Sequence, residues 1–109
     1  MTGHADNDIL LSELTDGVLR LTLNDNKRRN ALSSDMLARL SVAFTEAADD
    51  SRVRVVVLAA TGPVFCSGHD LKEMTAARTM ADKGNEAYQQ LFAACASVME
   101  LIVRNPKLI

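Results

Sequence analysis

Residues 53–74, VRVVVLAATGPVFCSGHDLKEM, constrain the chain more than any other stretch. A continuous, β-branched apolar run ends at Ala60 and is flanked at its start by Arg52 and Arg54. Such a run reads as a strand covered on both faces. Thr61-Gly62-Pro63 is a turn signal, and Val64-Phe65 then leads into Cys66-Ser67-Gly68-His69-Asp70-Leu71. That segment of small residues enters a helix over Asp70 to Met74. A strand feeding a backbone-exposing loop at a helix entrance puts unpaired N–H groups where negative charge is stabilised.

The rest of the chain is organised around this unit. Residues 1–7 are polar and are expected to be frayed and disordered. Residues 8–14 and 17–23 read as a strand pair joined by the hairpin signal Asp16-Gly17. In the second strand Leu19, Leu21 and Leu23 alternate with Arg20 and Thr22, a half-buried pattern. NDNKRR, residues 24–29, is a polar loop with a positive cluster. Ser33 and Ser34 both suit a helix N-cap, and Met36, Leu37, Leu40, Ala43, Phe44 and Ala47 follow at helical spacing to about Ala48.

After Met74, residues 75–83 have weak periodicity and read as a mobile helix–loop. From Gly84 on, Tyr88, Leu91, Phe92, Cys95, Val98, Met99 and Ile102 again fall at helical spacing, up to Asn105-Pro106. Lys107-Leu108-Ile109 reads as the first step of another strand. A domain rarely stops on entry to an apolar strand, so the chain is expected to be a fragment. The element order predicts an α/β fold with helices packed on a sheet.

Composition narrows the function. The 109 residues suit one domain, with 48% apolar and 24% charged residues. A net charge of −2 without a basic block gives no footprint for nucleic acid. The apolar run 55–60 is too short to span a bilayer, and MTGHADND has no secretory pattern. Cys66 and Cys95 lack metal-ligand spacing, which predicts no metal site and a reduced, cytoplasmic chain.

Within the loop, Gly68 permits a backbone conformation closed to other residues, and small Ser67 allows close approach of a ligand. The amides of His69, Asp70 and Leu71 fall near the helix N-terminus, and Lys72 lies within reach of an anion. An amide held against an oxyanion is worth about 3 kcal/mol to an enzyme that uses one. The same pattern also describes a plain loop with an Asp N-cap. Cys66 reads as a nucleophile or, more simply, a buried thiol. His69 reads as a general base, though its neighbours give its backbone more weight than its ring. Asp70 and Glu73 read as a carboxylate pair or as capping and solvated charge. Lys27, Arg28 and Arg29 read as a phosphate grip or a solvated loop.

Two segments together tip that balance. NDNKRRNALS, residues 24–33, resembles the loop before the first helix in the enoyl-CoA hydratase/isomerase (crotonase) superfamily, where Asn-Ala-Leu follows a basic stretch. Residues 55–74 resemble that family's strand and loop: apolar strand, Gly turn, Phe, a small residue, then Ser-Gly-x-Asp-Leu-Lys-Glu-Met. The resemblance runs from about Ile9 to Ile109, and Cys-Ser-Gly-His-Asp-Leu looks closest to the hydratase-domain-containing branch.

This resemblance implies a fold of repeated ββα units wound into a spiral, of which residues 1–109 would be the N-terminal part. It also implies trimers or paired trimers of the complete protein. The site roles it implies put one oxyanion amide on the backbone of His69, just after the signature Gly68. Lys27 and Arg29 match positions lining a CoA site, Ser67, Asp70 and Leu71 the loop around adenine and pantetheine, and Lys72 a position near the CoA phosphates. The implied substrate is an acyl-CoA thioester, hydrated or isomerised, with no separate cofactor. The second oxyanion amide and the catalytic carboxylates would lie beyond Ile109. A CoA-binding or structural subunit without those carboxylates is the alternative. A nucleotide binder fits poorly, because Gly62 and Gly68 are too far apart for a Gly-x-Gly-x-x-Gly loop.

Overall fold

The computed structural model describes residues 8–80, 82 and 84–109. The frayed segment expected at residues 1–7 lies outside them. Strand β1 (Leu10–Thr15) and strand β2 (Val18–Leu23) form an antiparallel hairpin with Thr15 opposite Val18. Asp16 and Gly17 take φ of 51° and 82°, the pair of positive values that matches a two-residue turn to the twist of its strands. The alternation of β2 does what its sequence predicts: Leu19, Leu21 and Leu23 are buried, while Val18 and Arg20 are exposed.

Helix α1 (Ser34–Asp49) follows, and the choice between the two serines is settled for Ser33, whose hydroxyl accepts the Met36 N–H at 3.1 Å. Met36, Leu37, Leu40, Phe44 and Ala47 form its buried stripe. Strand β3 (Val55–Ala60) then pairs in parallel with β2, giving the order β1-β2-β3. The expectation that this strand is covered on both faces is not met. Val56 is buried, Val57 is exposed, and the rest are half-buried.

Helix α2 (Leu71–Ala77) extends one turn past Met74, and helix α3 (Asn85–Arg104) ends before Asn105-Pro106. The seven apolar positions expected on one face of α3 divide. Leu91 and Val98 are buried against the core, whereas Phe92 and Met99 are exposed. The strand expected at the chain end is a single parallel bridge between Leu108 and Val55, with the Val56 N–H donating to the Leu108 carbonyl at 2.8 Å. One core unites Leu19, Leu21, Leu23, Met36, Leu40, Phe44, Val56, Leu91 and Val98. This is a mixed α/β sheet-and-helix arrangement, with the loop after β3 at one end of the sheet.

Candidate functional site

Two loops meet at that end. The loop after β2 contains a short 3-10 turn (Asn26–Arg28), after which Arg29 and Asn30 take φ of 53° and 55°. This turn aims the Arg28 and Arg29 carbonyls at the loop after β3. Ser67 accepts the invitation with both donors, its N–H to Arg29 at 3.2 Å and its hydroxyl to Arg28 at 3.3 Å. The Leu32 N–H then donates to the Gly68 carbonyl at 2.7 Å, and Leu32 pairs in parallel with His69.

That bridge fixes the direction of His69. In a parallel pair the bonds of one residue run to the neighbours on either side of its partner. The N–H and C=O of His69 therefore point away from Leu32, and among the described residues no acceptor takes that N–H. Beside it, Gly68 has φ of 89°, and a Cβ added there would meet nothing within 4 Å. Gly68 thus leaves room for a Cβ-sized group next to a residue whose N–H has no acceptor among the described residues.

Asn30, which sequence reasoning did not single out, holds the two loops in register. It is fully buried, accepts the Asp25 N–H at 2.7 Å, and donates to the carbonyls of Thr61 at 3.0 Å and Val64 at 2.8 Å. The Asn-Ala-Leu motif carried its signal, but nothing in the sequence names the three partners.

The charged residues separate into two groups. Asp70 is buried and its carboxylate is fully engaged. Oδ1 caps α2 by accepting the N–H of Lys72 at 3.0 Å and of Glu73 at 3.3 Å, and Oδ2 lies 3.3 Å from Arg28 Nε. Arg28 Nη1 also lies 3.5 Å from Asp25 Oδ2, a contact that is electrostatic and too long for a hydrogen bond. Glu73 caps a different helix, accepting the Ser34 hydroxyl and, at 3.1 Å, the Ser34 N–H at the start of α1. Capping is thus what Asp70 and Glu73 do, the plainer of their two readings. Lys27, Arg29, Leu71 and Lys72 are exposed, Leu71 by 74%.

Cys66 and Cys95 are half-buried free thiols, and Cys66 Sγ sits 3.5 Å from the Gly68 nitrogen. The His69 ring makes an edge contact with Phe92 of α3, at 5.3 Å and 72°. A cavity of about 460 Å³ opens nearby, lined by Ser34, Glu73, Met74, Ala77, Tyr88 and Leu91 among others. A larger groove of about 760 Å³ between α1 and the hairpin contains none of the candidate residues. Its size alone gives it no chemistry, and the site is placed by its donors.

Among the described residues no group of three or more His, Cys, Asp or Glu is arranged to hold a metal ion. Nor is any helix among them long and apolar enough to cross a membrane.

The family described as enoyl-CoA hydratase/isomerase matches residues 13–104. The mitochondrial enoyl-CoA hydratase domain-containing protein 3 of Rattus norvegicus is 40% identical over 91 residues, which cover 84% of this chain and 29% of that protein. The chain therefore spans less than a third of the length of that curated relative. A solved enoyl-CoA hydratase of Mycobacterium smegmatis superposes with a TM-score of 0.81 at 47% identity, covering 93% of this chain and 38% of the other. Human enoyl-CoA hydratase domain-containing protein 3 superposes with a TM-score of 0.80 at 32% identity, covering 92% and 38%. The crotonase-like fold expected from the two motifs is therefore present, as its N-terminal portion.

Proposed function

Since the chain belongs to the enoyl-CoA hydratase/isomerase family, we propose that it contributes one wall of an acyl-CoA site. In this reading the His69 N–H polarises the thioester carbonyl and stabilises the enolate-like charge that develops on it. The observation that supports it is the free His69 N–H beside the open face of Gly68. Lys27, Arg29 and Lys72 are exposed cations without an ion pair among the described residues, which suits the phosphates of CoA. Ser67, Asp70 and Leu71 shape the loop around the rest of the cofactor-like handle, with Asp70 acting through its cap. The second donor and the proton-transferring carboxylates belong to the remainder of the protein, as does its assembly into trimers or paired trimers.

A second reading keeps the same wall without the chemistry. The two carboxylates of this loop and helix, Asp70 and Glu73, are committed to capping, so neither is available for proton transfer at His69. A CoA-binding or structural subunit without catalysis is the form this reading takes. Cytoplasmic residence stays an expectation resting on the two free thiols. The relative from rat carries a mitochondrial name, which lends that expectation no support.

The test uses the intact protein. Calorimetric titration with CoA and butyryl-CoA is expected to show binding of both, weakened by Lys27→Ala and Arg29→Ala through the phosphates. His69→Pro removes the N–H, whereas His69→Ala keeps it. Turnover of crotonyl-CoA lost in the proline variant and kept in the alanine variant supports the oxyanion role. Binding without turnover in the unaltered protein selects the non-catalytic reading, and no binding of CoA overturns both.

A further inference from the structure

We infer that the imidazole of His69, braced by Phe92, is a specificity-determining wall that limits the length of the acyl chain. The inference rests on the acyl-CoA reading above and goes beyond it, since that reading uses only the backbone of His69. A carbonyl oxygen gripped by the His69 N–H lies about 2.9 Å from the nitrogen. The first acyl carbons then fall within van der Waals reach of a side chain rooted on the same residue.

Charge decides which half of the thioester the ring meets. The exposed cations Lys27 and Arg29 stand on the loop after β2, and Lys72 on the first turn of α2, which Arg28 ties to that loop through Asp70; together they draw the CoA phosphates to that side. The acyl group is left to the other side, where the apolar residues of α2 and α3 lie. His69 turns to that side, because its ring contacts Phe92 of α3 edge-on at 5.3 Å.

The ring is also held. Its Nδ1 is buried without a hydrogen-bond partner among the described residues. That burial and the edge contact with Phe92 pack the ring inward instead of toward solvent. A half-buried imidazole fixed in this way fills space next to the free N–H, where a smaller side chain would leave it open. Phe92, on the helix behind, is a positioning residue that acts through the ring.

The experiment measures affinity and turnover of the intact protein across acetyl-, butyryl-, hexanoyl- and octanoyl-CoA. The unaltered protein is expected to favour the short chains. His69→Ala, which keeps the N–H, is expected to raise the octanoyl-to-acetyl affinity ratio about tenfold, the scale of a methylene-sized change in a pocket. His69→Phe restores bulk and is expected to restore the short-chain preference. Phe92→Ala, remote from the loop backbone, should move the ratio the same way as His69→Ala, and it carries the test by itself where His69→Ala folds poorly. A chain-length profile unchanged in both alanine variants, with CoA still bound, overturns the wall. Failure of the unaltered protein to bind any of the thioesters overturns the acyl-CoA reading itself and takes the wall with it.

Discussion

Arg28 joins the two motifs of the chain: its Nε lies 3.3 Å from Asp70 Oδ2, across 42 positions of sequence. The pair is asymmetric, with the Arg28 side chain 53% exposed and that of Asp70 only 8%. Solvent therefore screens the attraction from one side, and the larger share of Asp70's value comes from its cap on α2.

This asymmetry orders three variants. Asp70→Ala removes the cap and the ion pair together, and is expected to cost more than the roughly 1 kcal/mol typical of a lost N-cap. Asp70→Asn keeps an acceptor for the Lys72 and Glu73 amides, so its cost should be smaller. Arg28→Ala leaves two buried carboxylates, Asp25 and Asp70, without their shared cation. Urea unfolding midpoints should rank Asp70→Ala lowest, and an Asp70→Asn variant as unstable as the alanine would show that the ion pair dominates instead.

Asn30 is a sterner case. Its amide makes three bonds to backbone groups from a fully buried position. Asn30→Ala strands the Asp25 N–H and the carbonyls of Thr61 and Val64, and each buried group left unpaired costs about 1–3 kcal/mol. Asn30→Asp fares no better, because a carboxylate would face the two carbonyls. Both variants should melt well below the parent, with faster hydrogen exchange at Asp25. Melting within a degree or two of the parent would mean that water replaces the lost partners.

Much of this was legible in the residues. The alternation Leu19, Leu21, Leu23 and the Asp16-Gly17 turn specify the hairpin, and the stripe from Met36 to Ala47 specifies α1. Periodicity reports the face that a helix buries only when partners cover it. Phe92 and Met99 satisfy the period of α3 and are nevertheless exposed, as is Val57 in β3. The hub at Asn30 was invisible for another reason: two of its three partners, Thr61 and Val64, lie more than 30 positions away, and only the folded loops bring them together. Likewise the Glu73 carboxylate caps α1 rather than its own helix, a long-range pairing that local spacing cannot express.

Lys107 closes the far end of the same domain. Its ammonium donates to the Val53 carbonyl at 2.7 Å and the Asp50 carbonyl at 3.1 Å, where α1 gives way to β3. Hydrogen bonds from a charged donor contribute about 1.5–3 kcal/mol. Lys107→Met keeps the aliphatic stem and loses only the donors. Equal losses for Lys107→Met and Lys107→Ala in chemical denaturation are expected, and a methionine variant as stable as the parent would assign the value to the stem.

Gly68 separates stability from binding. Its φ of 89° strains any other residue, by about 1–2 kcal/mol for an L side chain in left-handed space. A methyl group would collide with no protein atom within 4 Å, and instead would project into the open space beside the His69 N–H. Gly68→Ala should therefore stay folded, with a modest loss in melting temperature, and lose most of its affinity for butyryl-CoA. Full affinity in a folded Gly68→Ala protein would remove this face from the site.

Two surface carboxylates contribute to the acid side of the stability curve. Asp50 is held at about 2, below its ordinary 3.8, chiefly by the side-chain hydrogen bond from Arg52 and then by the Arg52 N–H. Asp82 is lowered by the N–H groups of Glu86 and then Gly84, which it gathers at the start of α3. A depressed folded value means that the ionised form is favoured by folding. The resulting stabilisation is complete above the unfolded value and is lost as pH falls through the folded one. For Asp50 that window runs from about 4 down to about 2. Arg52→Ala removes the main cause, so the parent's advantage over this variant should be full at neutral pH and should narrow across that window. Both sites lie at the surface, so the effect is small and best read as a difference between paired titrations of urea midpoint. An advantage that holds constant down to pH 2 would show that Arg52 stabilises the loop by packing and not through the Asp50 charge.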